Sequence, residues 1–155
     1  MKWIIYIVSA FTLLACATTK QASVQLPGED PQQTVAPDKN TSNAVISLLE
    51  KARDATTQGD YQRAEVLLER TVRIEPRNAS LWHYLAKLRL HQARFSEAIG
   101  LAQKSNNLAR SNNHLKADNW RIIAHSKYQL GDVSGAQAAQ VKACLLYTSP
   151  SPRDS

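Results

Sequence analysis

Four histidines, two cysteines and a close pair of glutamates are the side chains of this chain that could do chemistry. Imidazole and thiolate bind transition metals, and paired carboxylates run acid–base reactions. The spacing argues against both uses. His83, His91, His114 and His125 contain no i, i+4 pair of the kind that brings two ligands onto one helical face. Glu65 and Glu69 do share a face, but Arg70 and Arg73 adjoin them. A solvated charged face is therefore expected there rather than an acid–base pair. The chain has no G-x-S-x-G, no H-E-x-x-H and no phosphate-cradling glycine loop. No enzymatic activity, cofactor or metal is expected.

The elements around these residues follow from composition. Pro76 is the only proline between Asn43 and Lys142, and that stretch is rich in Ala, Leu, Gln, Arg and Lys, all good helix formers. An all-α domain with irregular flanks is the first inference. The formal net charge is +6. Setting aside the terminal Lys2, Arg153 and Asp154 leaves 17 basic residues against 12 acidic ones, or +5. An intracellular protein of this balance would suggest nucleic acid. An exported one meets anionic lipid, cell-wall polymer or an acidic protein instead.

The first residues point to export. Lys2 precedes W-I-I-Y-I-V-S-A-F-T-L-L, residues 3–14. That run suits the apolar core of a signal peptide and is too short to span a bilayer as a helix. It ends in Leu13-Leu14-Ala15-Cys16, which resembles the bacterial lipobox; Leu14 is a less usual middle residue. The resemblance implies cleavage after residue 15, diacylglyceryl transfer to the Cys16 thiol and acylation of the new amine. Two or more acyl chains anchor a protein stably. In Gram-negative sorting an Asp after the cysteine retains such proteins in the inner membrane. Ala17 stands there, so the resemblance implies an outer-membrane lipid anchor with the domain facing the periplasm. Residues 17–42 are polar, hold Pro27, Pro31 and Pro37 and lack an apolar period. They are expected to be a disordered tether with a span on the order of 30 Å.

The middle repeats. Val45, Leu48, Leu49, Ala52 and Ala55 recur at helical spacing before Gly59-Asp60, and Ala64, Leu67, Leu68 and Val72 after it. Gly59 permits a tight turn, and Pro76 closes the second helix. Thirty-four residues after Val45, from Ala79, the pattern returns with Trp82, Leu85, Ala86, Phe95 and Ala98. It returns again from Ala117 with Trp120, Ile123, Ala124, Gly131-Asp132 and Ala136. The second interval is 38 residues, so about four extra residues, near 111–114, are expected to lengthen that connection. This pattern resembles the tetratricopeptide repeat, a helix–turn–helix of 34 residues. Lys51 and Arg110 depart from it, the latter where proline is common. The resemblance implies an α-solenoid of about three repeats, 45–78, 79–112 and 117–143, within a domain of residues 43–143. The last repeat is expected to be incomplete. Residues 144–154, C-L-L-Y-T-S-P-S-P-R-D, resemble the translation of a transposase-type sequencing adapter. They are expected to carry no functional information, and the natural chain to continue differently from about Lys142 or Ala143.

Tetratricopeptide repeats grip peptides or helices on the inner face of their first helices. Matching the register places Arg53, His83, Lys87, Leu90, His91, Arg121, His125 and Tyr128 there. This stripe is basic with apolar and aromatic contacts, suited to an acidic or C-terminal peptide segment. The family's carboxylate clamp is not reproduced, because Tyr84, Asp118 and Ile122 stand at several of its positions. Two readings remain open. One is a protein-binding adaptor or scaffold in envelope or secretion-system assembly. The other is a basic surface for cell-wall glycan or anionic lipid. Nucleic acid is not an expected partner of either.

Overall fold

The computed structural model describes residues 37–148. The apolar leader, Cys16 and all but the end of the expected tether lie outside the described residues, as do residues 149–155. Six helices follow in chain order: α1 (Asn43–Thr57), α2 (Tyr61–Ile74), α3 (Ala79–His91), α4 (Phe95–Leu108), α5 (Asn113–Gln129) and α6 (Val133–Thr148). No strand occurs among the described residues. Each helix packs on the next, and α3 also touches α5, so the first helices of the second and third pairs lie side by side.

The three pairs turn in one way. The residue at the same point of each turn has a positive φ: Gly59 (76°), Ala93 (57°) and Gly131 (82°). The amide of the following residue reaches back to close the first helix, Asp60 to the Ala55 carbonyl, Arg94 to Arg89 and Asp132 to Lys127, each at 2.9 Å. A second bond, from the left-handed residue to the carbonyl three residues back, completes each cap: Gly59 to Thr56, Ala93 to Leu90 and Gly131 to Tyr128. These are Schellman caps, which satisfy carbonyls that a helix end would otherwise leave unpaired. Asp60 and Asp132 then cap the second helix, accepting from Arg63 N–H at 3.0 Å and Gly135 N–H at 2.9 Å. In the middle pair Arg94 takes that place and makes no side-chain cap.

Small residues set the helix spacing. Ala52, Ala86 and Ala124 on the first helices are buried, as are Ala64, Ala98 and Ala136 on the second. The first core joins Val45, Leu49, Leu68, Val72, Leu81, Leu85 and Leu88 across α1, α2 and α3. The second joins Ala86, Ala98, Ala102, Ile122, Ile123 and Ala139 across α3 to α6. Trp82 and Trp120 pack half-buried on these cores, one on each. Lys104 lies 3.5 Å above the Trp82 ring centre and Lys142 4.4 Å above that of Trp120. The described residues 37–148 form a compact unit whose core is supplied from within.

Three details differ from the sequence expectation. The four extra residues before the third repeat do not lengthen a loop. They add a turn to the start of α5, which is 17 residues long against 13 for α3. The side chain of Asn112 caps that turn by accepting from Leu115 N–H at 3.1 Å. The tether does not run to Ser42. Ser42 donates through its amide and hydroxyl to the Glu75 carboxylate at 2.9 and 2.8 Å. Asn78 donates to the Thr41 hydroxyl at 2.8 Å, and Ser80 to Asp38 at 3.3 Å. Paired polar groups on both segments therefore fasten residues 38–42 to the link between the first two pairs. Finally, α6 runs past residue 143 to Thr148. Tyr147 meets the ring of His114 edge-on at 5.0 Å and lies 4.9 Å from the guanidinium of Arg121.

Candidate partner-binding groove

The repeat spacing puts one basic-type side chain at the same register of each first helix: Arg53 on α1, Lys87 on α3 and His125 on α5. Arg53 is exposed, while Lys87 and His125 are half-buried. Neither Arg53 nor Lys87 makes an ion pair among the described residues. One turn on, the same faces carry Leu90, half-buried against the second core, and Tyr128, 57% exposed. Tyr84 lies beside this row; burial pushes its phenol up, and the nearby Arg53 charge opposes that shift.

The remaining groove candidates are engaged elsewhere. His83 is 5% exposed and sits between α3 and α5, with Nδ1 2.9 Å from the Asn119 side-chain oxygen. The Asn119 amide nitrogen donates to the Ser105 hydroxyl at 2.8 Å and to Asn106 at 3.0 Å. The Asn119 oxygen therefore accepts, and the proton of the imidazole is on Nδ1. Burial holds the imidazole below its ordinary value of 6.5, against the opposing Asn119 bond and Asp118 charge; Lys87 acts in the same direction as burial. His83 is a neutral inter-helix tie rather than an open contact of the groove. Arg121 forms an ion pair with Asp118 at 2.9 Å, which cancels its charge locally. His91 stacks on Tyr61 of α2, with ring centres 6.4 Å apart and planes 7° from parallel. That contact sits at the edge between α2 and α3. His125 has Gln129 3.4 Å from its Nε2. The face is thus less cationic than the residue types alone indicate, and its uncompensated charges are Arg53 and Lys87.

Arg89 is the residue that sequence reasoning passed over. Its side chain is 6% exposed and meets carboxylates from two helices: Glu65 of α2 at 2.7 Å, Glu69 of α2 at 3.5 Å and Glu97 of α4 at 3.3 Å. Arg94 adds bonds to Glu97 at 2.8 Å and Glu65 at 3.4 Å. The Arg89 hydrogen bond, with help from Gln92, holds the Glu65 carboxyl below its ordinary value. The expected exposed Glu65/Glu69 face is therefore turned inward as a structural ion network. A basic residue among Leu81, Leu85 and Leu88 on α3 is the signal that could have exposed it. Among the described residues no group of three or more His, Cys, Asp or Glu could hold a metal. No described helix is long and apolar enough to cross a membrane.

Helix pairs of near-equal length, stacked in one direction through identical turns, define an α-solenoid that presents the faces of its first helices. The tetratricopeptide-repeat profile matches residues 55–117. The globular C-terminal domain of LpoP from P. aeruginosa is 32% identical, with a TM-score of 0.64 over 66% of this chain and 96% of that one. The chain belongs to the tetratricopeptide-repeat family. The second tetratricopeptide domain of Spaghetti (RPAP3), solved with the HSP90 peptide SRMEEVD, is 20% identical, with a TM-score of 0.60 over 67% of this chain and 93% of that one. The type III secretion translocator chaperone SycD of Yersinia enterocolitica is 14% identical, with a TM-score of 0.64 over 76% and 86%. At those identities the two share the fold alone. Comparison with curated protein sequences found no match.

Proposed function

We propose that this protein is an adaptor or scaffold, anchored to the outer membrane through acyl chains on Cys16 and holding a partner protein in the periplasm. Such a role fits envelope or secretion-system assembly. The observation that carries the binding role is the row Arg53, Lys87 and His125, one per first helix, flanked by Leu90 and Tyr128. Cations with an apolar contact beside them suit an extended or helical segment of acidic character. The anchoring half rests on the apolar run ending in Leu13-Leu14-Ala15-Cys16. The likeness to a globular domain that is itself C-terminal in its parent protein agrees with a domain carried behind a leader and tether.

Two experiments test the halves separately. Metabolic labelling with a palmitate analogue marks the wild type and not Cys16→Ser; equal labelling of both would sink the anchor. A photo-crosslinking residue at Lys87 captures a partner that the same residue at Gln103, on the exposed side of α4, does not. The Arg53→Glu, Lys87→Glu variant then loses that capture while keeping its helical circular dichroism. Capture from Gln103 and not from Lys87 refutes the groove.

A further inference from the structure

The outer face of α2 differs in kind from those of α4 and α6. Glu65 and Glu69, its two acids, are drawn toward Arg89. What remains outward at helical spacing is Arg63, Val66, Arg70, Arg73 and Ile74. All five are exposed; Val66 is 67% and Ile74 48% accessible, and the Arg73 side chain 81%. Arg63 and Arg70 have no ion-pair partner among the described residues, and Arg73 has only a 3.7 Å contact to Glu69. The corresponding lysines of the later pairs, Lys104 and Lys142, are instead folded over Trp82 and Trp120. On α4 the exposed side is Ser96, Glu97, Gly100, Gln103 and Lys104, a polar face of mixed sign.

We propose that this α2 face is a docking surface for anionic phospholipid. Guanidinium forks pair with phosphate oxygens in a bidentate fashion and are less tightly hydrated than ammonium groups. The three arginines, spread along about three helical turns, present positive charge to a plane of headgroups, with Glu69 beside Arg73 as the one acid at the edge of the face. Val66 lies between Arg63 and Arg70, and Ile74 follows Arg73 at the end of α2, where apolar side chains enter the headgroup–acyl boundary. That interleaving favours a lipid surface over an acidic polymer, which rewards charge and gives no return for exposed aliphatic groups. The site lies on the second helix of its pair, so it is separate from the groove, and either reading can fail without the other.

The test uses a chain of residues 34–155, without the apolar leader, and vesicles of phosphatidylcholine with or without phosphatidylglycerol. The wild type floats with the anionic vesicles and stays behind with the neutral ones. Arg63→Gln, Arg70→Gln, Arg73→Gln lowers the partition coefficient on the order of a hundredfold, the loss expected for three cationic contacts at an anionic surface. Val66→Ser, Ile74→Ser lowers it several-fold with every charge intact. Both variants alter exposed side chains and retain the wild-type circular dichroism and melting. Unchanged partition of the arginine variant overturns the proposal. So does an arginine-dependent partition indifferent to Val66 and Ile74, which would mark a plain polyanion site. Binding of soluble polyglutamate without binding of anionic vesicles overturns it as well.

Discussion

Ala93 offers a measurement of how strictly the three turns are built alike. It occupies the position of Gly59 and Gly131 and carries a φ of 57°. A left-handed conformation costs an L-residue with a Cβ roughly 1–2 kcal/mol. Glycine avoids that strain but loses about 0.4–1 kcal/mol more entropy on folding than alanine. Ala93 is exposed, so removing its methyl group forfeits little packing. Both cap bonds at this turn come from backbone amides and survive the change. Ala93→Gly should therefore stabilise the domain by about 0.5–1 kcal/mol. In a domain of this size that raises the melting temperature by roughly 2–6 °C. Thermal and urea melts followed by far-ultraviolet circular dichroism read it directly. The inverse changes, Gly59→Ala and Gly131→Ala, should each cost a similar amount, since no neighbouring atom offers an added Cβ any contact. Refutation would be a neutral or destabilising Ala93→Gly alongside costly Gly59→Ala and Gly131→Ala, because strain at that φ would then not be what separates the turns.

Stability should respond to acid in two steps. His83 is held below 6.5 in the folded state, so the unfolded chain takes up its proton first. Its share is fully present above 6.5 and is lost as pH falls, by at most about 1.4 kcal/mol per unit. Glu65, held below 4.5 chiefly by Arg89, contributes above that value and loses its share below it. His83→Gln keeps an N–H for Asn119 and should erase the upper step in pH-dependent denaturation while leaving the lower one; persistence of the upper step would place it on another group. Arg89→Met should cost about 1–3 kcal/mol in urea melts. The low end applies if the partly exposed Glu69 and Glu97 rehydrate, and a neutral result would show the network to be dispensable.

The repeat architecture was legible because its determinants are local. Trp82-x-x-Leu85-Ala86 and Trp120-x-x-Ile123-Ala124 report a register, and Gly59-Asp60 and Gly131-Asp132 report a turn followed by a cap. The turn at Ala93 carries no such signal and was not read as a turn from the residues. The extra turn of α5 was visible as four residues but not as helix, since whether an insertion extends a helix depends on a cap such as Asn112. For the groove, register gives the face of a helix but not its depth. His83 and Lys87 lie one turn apart on that face, yet α5 brings Asn119 over the first and leaves the second half-open. The Asp118–Arg121 pair, by contrast, could have been read from its i, i+3 spacing. The pairing of Arg89 with Glu65 spans 24 residues, so a basic residue on the leucine face of α3 hints at a buried partner but does not say which.

That long-range network decides where the positive charge of the domain is available. By drawing Glu65 inward and sharing Glu69, Arg89 takes most of the negative charge away from Arg63, Arg70 and Arg73, and the outer face of α2 is left predominantly positive. In the groove the reverse happens: Asp118 takes Arg121, and burial neutralises His83, leaving Arg53 and Lys87 beside Leu90 and Tyr128. The two faces should consequently differ in their response to salt. Exposed arginines facing a charged plane lose their attraction as the screening length shortens, from about 10 Å at 0.1 M to about 3 Å at 1 M. A segment seated against Leu90 and Tyr128 also buries apolar surface, which salt does not screen, so its capture should decline less. If vesicle partition and groove capture fell together along one salt series, a single cationic surface would serve both, and the separation of charge between α2 and the first helices would have no functional meaning.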